Sequence, residues 1–201
     1  MSLIYRHDDG ELIKMKHMTI NGIGGKVHYW ISRPNNNSKG ALVFTHGLTA
    51  NHTMYEKQVE YFKNDYVVIT WDVPLHGLSI PYKEFSYEIT ARDLNSILLQ
   101  ESIGKVCLIG MSMGGYPSQM LAYLYPEKVQ CFVGIDTTPF RTEYYSRSDL
   151  WWLSKVKKMA KWFPDKTLRK SMAKSVAVTD YSYNKMIEML KPMSKEQIIE
   201  Q

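Results

Sequence analysis

The stretch CLIGMSMGGYPSQM, residues 107–120, decides the fold. An apolar run ends at Gly110, a single serine follows at position 112, and a segment of helical character begins after Gly114. In a strand–turn–helix of the form Gly-x-Ser-x-Gly, the turn is so tight that the residues two before and two after the serine nearly touch. The pattern therefore predicts an exposed Ser112 hydroxyl at the positive end of a helix. The alternative is a glycine-rich turn with an incidental serine.

The segments around this stretch alternate between strand and helix. Two strands, 14–20 and 26–32, are joined across NGIGG, which is a hairpin signal. Continuous apolar runs, typical of strands covered on both faces by helices, predict a mostly parallel α/β sheet. The buried strands are predicted at 41–47, 66–72, 105–111 and 129–136, and the intervening helices at 53–63, 86–102 and 114–125.

The chain changes character after Asp136. No strand-like run follows residue 140, and helices are predicted at 148–163, 165–176, 182–192 and 195–201. Residues 141–201 carry 13 basic and 7 acidic side chains, whereas residues 1–140 carry 12 and 13, so the net charge of +5 comes from the last third. We interpret this charge as a solvated helical surface, because no nucleic-acid-binding motif accompanies it. The expected organisation is a core over 1–140 and a helical cap over 141–201.

Composition excludes several classes of protein. Apolar residues make up 44% and charged residues 22% of the chain, which is typical of globular proteins. The N-terminal segment lacks the apolar core of a signal peptide, and no apolar run reaches the length of a membrane span. We therefore expect a cytoplasmic protein in which Cys107 and Cys131 are free, buried thiols. The histidines lack metal-ligand spacing on one rigid element, so neither a metal nor a cofactor is expected.

Three motifs resemble those of α/β-hydrolases of the lipase and esterase type. GMSMGG (110–115) resembles the nucleophile elbow, and THGLT (45–49) resembles the His-Gly loop after the third strand. DVPLHGLS (72–79) resembles the loop after the fourth strand, although Leu75 stands where the family has a glycine, which leaves the backbone path there open. The helical stretch after Asp136 resembles the cap that follows the sixth strand.

The resemblance implies an ester-hydrolysing site around Ser112. This serine would attack a small or medium carboxylic ester, or a related acyl substrate, and form an acyl-enzyme. The backbone N–H groups of Leu48 and Met113 would form the oxyanion hole, and His46 would shape its loop. The side chains expected to bind the acyl group are Trp151, Trp152, Met159 and Tyr183.

The same resemblance implies a catalytic acid after a seventh strand and a histidine after an eighth. All six histidines of this chain precede Ser112. We therefore expect the last two strands, the acid and the histidine to be missing from a truncated chain, and the 201 residues alone to be inactive. Strand 129–135 would then be an open edge through which two copies could associate.

Two other functions stay open at this point. The chain could be a non-catalytic ligand-binding protein on a hydrolase-like scaffold. It could also use the basic, tryptophan-rich segment 148–163 on a membrane surface, although we expect no membrane association and no nucleic-acid partner. The identity of the substrate does not follow from the sequence.

Overall fold

The computed structural model describes residues 2–6, 12–140, 146, 148, 151, 155 and 159–200. The chain divides into two compact units, Met1–Thr138 and Pro139–Gln201. The first unit is built on a seven-stranded sheet, and the described elements of the second unit are helices.

The sheet has the strand order β1-β2-β3-β5-β4-β6-β7. Strands β1, β2, β3 and β5 pair antiparallel in succession, whereas β5, β4, β6 and β7 run parallel to one another. The predicted α/β fold with an N-terminal hairpin is confirmed, and β1 is an addition that the sequence did not predict. The strands are β1 (Ser2–Arg6), β2 (Leu12–Asn21), β3 (Lys26–Ser32), β4 (Ala41–Thr45), β5 (Val67–Trp71), β6 (Val106–Met111) and β7 (Val129–Ile135).

Helices cover both faces of the sheet. They are α1 (Glu56–Phe62), α2 (Tyr87–Gln100) and α3 (Gly115–Leu124). Because successive side chains of a strand point to opposite faces, Ile69 packs in one apolar cluster with Leu94 of α2, and Val68 in another with Val59 of α1. All five residues of β5 are buried, which explains why its sequence, apart from Thr70, is apolar without alternation.

Local hydrogen bonds fix where the hairpin and the helices begin. Gly22 N–H donates to Gly25 O at 2.8 Å and closes the turn between β2 and β3. The predicted helix 53–63 starts as a 3-10 turn over His52–Tyr55, and the Asn51 side chain accepts the Thr53 N–H at its start. Ser86 caps α2 in the same way by accepting the Ile89 N–H.

The second unit contains α4 (Asp165–Val176), α5 (Asp180–Leu190) and α6 (Lys195–Glu200), and residues 159–162 are also helical. Helix α5 begins two residues before the predicted start, because Thr179 and Ser182 form a capping box. Arg169 of α4 pairs with Asp165 at 2.8 Å and donates to Met193 O at 2.7 Å. Most of the predicted helix 148–163 lies outside the described residues.

The two cysteines form a disulfide bond, so the prediction of free, buried thiols is wrong. Cys107 of β6 lies directly opposite Cys131 of β7, with their Cα atoms 4.6 Å apart, and Cys131 is exposed. This pairing depends on the register between β6 and β7, which are separated in the chain by helix α3. The sequence pattern does not contain that register.

Candidate active site

Ser112 lies at the sharp turn between β6 and α3. It follows Met111, the last residue of β6, and opens a 3-10 turn over Ser112–Gly114 that leads into the helix. Its φ of +50° lies in the left-handed region, which non-glycine residues rarely adopt and which costs about 1–3 kcal/mol. The side chain is exposed. The turn therefore has the backbone geometry of a nucleophile elbow.

The two glycines of the motif are required by close backbone contacts. A Cβ atom on Gly110 would lie 2.5 Å from Gly114 O and 2.8 Å from Gly115 Cα. A Cβ on Gly114 would lie 2.5 Å from His46 O. All three distances are shorter than carbon–oxygen or carbon–carbon contacts allow, so any side chain at these positions would push the turn apart.

The His46–Gly47 loop lies against this turn. A Cβ atom on Gly47 would be 3.7 Å from Ser112 Cβ and 3.5 Å from Met111 O. Leu48 follows in an exposed position, and its backbone N–H donates to no acceptor within the described ranges. Met113 lies in the first turn after the serine, where backbone N–H groups lack the acceptors of a helix interior.

His46 fixes the conformation of this loop. Its Nδ1 is 2.8 Å from Gly47 O, and its Nε2 accepts the Val73 N–H at 3.1 Å, so the proton is on Nδ1. Burial, with a smaller effect from His76, lowers the pKa of His46 to about 3, and the ring is neutral at pH 7. Because the peptide group is planar, holding Gly47 O also sets the direction of the Leu48 N–H.

Asp72 joins the loop after β4 to the loop after β5. Its Oδ1 accepts hydrogen bonds from both the backbone N and the Nδ1 of His52, each at 2.8 Å, and its Oδ2 accepts the Leu78 N–H at 2.7 Å. Burial by itself would raise the pKa of Asp72, but the hydrogen bonds from His52 and Leu78 outweigh it and hold the pKa below its usual value. An ionised carboxylate thus organises both loops beside the elbow.

Leu75, which stands where the family motif has a glycine, adopts a left-handed backbone conformation. Its φ is +69°, and its N–H donates to Ser79 O at 3.2 Å, while Ser79 Oγ donates to Asp72 O at 2.7 Å. The open question about the backbone path of this loop is therefore answered: the surrounding hydrogen bonds keep the turn despite the unfavourable residue. His76 is a buried loop residue whose Nδ1 lies 3.0 Å from Pro74 O.

Sequence reasoning assigned no role to Asp72 and His52. A signal for Asp72 existed, because an acidic residue directly after a fully apolar strand tends to be buried and must then find donors. No comparable signal links it to His52, which lies 20 residues earlier in a turn.

The predicted acyl-binding residues belong to the second unit. Trp151 and Met159 are about half exposed, and the Lys155 ammonium lies 5.7 Å from the Trp151 ring centroid. Tyr183 is half-buried on α5, and Trp152 lies outside the described residues. Their role in substrate binding stays a prediction.

Three features that the described part of the chain lacks bear on the site. No described side chain is hydrogen-bonded to Ser112 Oγ. Within the same residues, no three histidine, cysteine, aspartate or glutamate side chains are grouped as metal ligands would be. None of the described helices is both long enough and apolar enough to cross a bilayer.

Comparisons with known proteins give a consistent family. A family model described as the alpha/beta hydrolase fold matches residues 40–191. The 3-oxoadipate enol-lactonase 2 of Acinetobacter baylyi is 34% identical over 89 residues, which are 44% of this chain and 33% of that protein. The sn-1-specific diacylglycerol lipase of Mus musculus is 33% identical over 104 residues, which are 51% of this chain and 34% of the lipase.

The match to these relatives thus spans about a third of their length. A solved esterase from Exiguobacterium antarcticum shares the fold, with a TM-score of 0.72 at 18% identity over 92% of this chain and 71% of the esterase. Since the family model covers more than half of the chain, including every element from β4 to α5, the chain belongs to the α/β-hydrolase fold family.

Proposed function

We propose that this chain carries the nucleophile and the oxyanion hole of a serine hydrolase that cleaves a small or medium carboxylic ester, or a related acyl substrate. The observation that carries the proposal is the exposed Ser112 at φ +50°, between the end of a parallel strand and the start of a helix. The names of the relatives support the substrate class, because a lactone and a diacylglycerol both contain a carboxylic ester.

In this mechanism Ser112 Oγ attacks the carbonyl carbon, and its proton passes to a base. The carbonyl oxygen becomes an oxyanion, which the N–H groups of Leu48 and Met113 stabilise by about 3–4 kcal/mol each. The bond to the leaving alcohol then breaks and the alcohol takes up the proton, which leaves an acyl-enzyme for water to hydrolyse. His46 contributes as a positioning residue, because it fixes the peptide that carries the Leu48 N–H.

The base and its orienting acid are the missing parts of this mechanism. Serine is a weak nucleophile without them. Because no described side chain is hydrogen-bonded to Ser112 Oγ, we propose that the base comes from outside the described residues.

The second unit is proposed as the helical cap that binds the acyl group. Its candidate residues are Trp151, Trp152, Met159 and Tyr183. In an active preparation of the protein, Trp151→Ala should change the preferred acyl chain length more than it changes the melting temperature. A large loss of stability with an unchanged length preference would instead assign Trp151 to packing.

The test of the nucleophile is covalent labelling with a fluorophosphonate, followed by peptide mapping. High probe concentration and long incubation are used, because no described side chain is hydrogen-bonded to Ser112 Oγ to activate it. We expect the label on Ser112 and its loss in Ser112→Ala. The matched control is Ser96→Ala, which removes an exposed serine of α2 whose hydroxyl donates to Arg92 O at 3.0 Å, and labelling should survive there.

Labelling that persists in Ser112→Ala would refute the assignment. A non-catalytic ligand-binding protein is the second candidate, favoured by the lack of a hydrogen-bonded base at Ser112 among the described side chains. It would be supported if Ser112 stayed unlabelled even in a longer protein that contains this chain and a histidine after it.

A further inference from the structure

Three buried polar atoms lie close together on one face of the sheet. They are Trp30 Nε1, Thr70 Oγ1 and His52 Nε2, and none of them has a hydrogen-bond partner in the described part of the chain. Trp30 of β3 and Thr70 of β5 are directly paired, so their side chains lie side by side on the same face. The His52 ring stacks on Trp30, with ring centroids 3.3 Å apart and planes 12° from parallel. We call these three residues the polar cluster.

The hydrogen bond to Asp72 determines what His52 offers to this cluster. Its Nδ1 donates to Asp72 Oδ1 at 2.8 Å, so in the neutral form of the ring Nε2 is an acceptor. Asp72 is two positions after Thr70, and residues so spaced along an extended chain point to the same face. The Trp30–Thr70 pair, the His52 ring stacked on Trp30 and the Asp72 carboxylate therefore lie on the same face of the sheet.

We propose that one internal water molecule binds to the polar cluster. The cluster offers one donor in the Trp30 indole N–H, one acceptor in His52 Nε2, and one hydroxyl in Thr70 that can do either. Water matches this set, because it can donate to His52, accept from Trp30 and exchange a third hydrogen bond with Thr70. A cation would face the indole N–H, and an anion would face the imidazole lone pair, so neither ion fits.

A direct hydrogen bond from Thr70 to His52 is the competing arrangement. It would satisfy two of the three atoms and leave the indole N–H of the fully buried Trp30 without a partner. Buried polar groups in folded proteins are almost always hydrogen-bonded, because an unpaired one loses its hydration without replacement. The bound water satisfies all three groups at once and is therefore the arrangement that we infer.

The water would extend the hydrogen-bond network of Asp72 into the sheet. A continuous chain of hydrogen bonds would then run from Leu78 through Asp72 and His52 to Thr70 of β5. This chain of hydrogen bonds would hold the 3-10 turn His52–Tyr55, which follows the His46–Gly47 loop, against the sheet. The inference does not depend on catalysis, so its failure would leave the proposed hydrolase function untouched.

The test uses the indole N–H signals of the 15N-labelled full chain. Trp30→Phe identifies the Trp30 signal, and water-selective NOE experiments then detect a long-lived water next to it. The matched control is Trp71, an equally buried tryptophan whose Nε1 donates to Thr45 Oγ1 at 3.0 Å. We expect a water NOE at Trp30 and none at Trp71.

Substitution of Thr70 provides the second measurement. Thr70→Val keeps the shape of the side chain and removes its hydroxyl, so the water NOE at Trp30 should weaken or disappear. Thr70→Ser keeps the hydroxyl, and the water NOE at Trp30 should therefore remain. If Thr70→Val does not fold, the wild-type protein and Thr70→Ser still decide the question. A Trp30 N–H without a water NOE in the wild-type protein would overturn the proposal.

Discussion

Lowering the pH from 7 to 5 probes the buried, neutral state of His46. The ring is fully buried and its pKa is lowered from 6.5 to about 3, chiefly by burial. In the unfolded chain the same residue titrates near 6.5, so its stabilising contribution is complete above that pH and is lost as the pH falls toward 3. Between pH 7 and 5 the unfolded chain gains most of one proton at His46 and the folded chain gains none. This difference lowers the free energy of unfolding by about 2 kcal/mol.

The assay is urea unfolding at pH 7, 6 and 5, for the wild-type chain and for His46→Asn. Fluorescence of the buried Trp30 and Trp71 reports on the first unit once the tryptophans of the second unit are changed to phenylalanine. These are Trp151, Trp152 and Trp162. The wild-type chain should lose about 2 kcal/mol more than His46→Asn over this range. The two proteins are compared by how steeply their free energy of unfolding changes with pH. Their absolute stabilities also differ, because His46→Asn loses the hydrogen bonds of His46 and is therefore less stable at every pH.

Other titrating groups do not obscure the comparison. The pKa values of His17, His28 and His76 are also lowered, mainly by burial, so acid destabilises both proteins through them in the same direction. Asp72 has a pKa below its usual value and stays ionised throughout this range. If the wild-type chain and His46→Asn lost equal free energy of unfolding between pH 7 and 5, the reasoning would be refuted. The neutral state assigned to His46 in the folded protein would then be wrong as well.

Three further predictions concern the elbow and the sheet edge. Gly114→Ala should lower the free energy of unfolding by at least about 1–3 kcal/mol, because the methyl group would meet His46 O; an unchanged melting temperature would contradict this. Ser112→Cys should be alkylated faster at pH 7 than the control Ser96→Cys, because the start of α3 should lower the pKa of the new thiol below about 8.5. Equal alkylation rates would show that the start of α3 does not lower this pKa. The chain should self-associate through β7, an edge strand with exposed apolar residues, and Val133→Lys should reduce light scattering; identical scattering of both proteins would exclude this route.

The order of strands and helices was largely predictable because it depends on local periodicity. The apolar runs of β4, β5 and β6 and the helical spacing of α2 lie within the residues that form each element. Strand β1 was missed because Ser2–Arg6 is a short segment whose strand conformation depends on pairing with β2. The start of α5 was misplaced because the capping box at Thr179 was not recognised, although its residues are adjacent in sequence.

The sequence by itself determined the elbow, since its geometry depends on residues within a few positions of one another. Gly110, Ser112 and Gly114 specify a turn whose contacts are mainly with itself and with the neighbouring strand. Only the tertiary structure decided the pairing of His52 with Asp72, the disulfide between Cys107 and Cys131, and the meeting of Trp30 with Thr70. Each of these pairs depends on strand order and register, which the packing of the whole sheet sets and which no local pattern encodes.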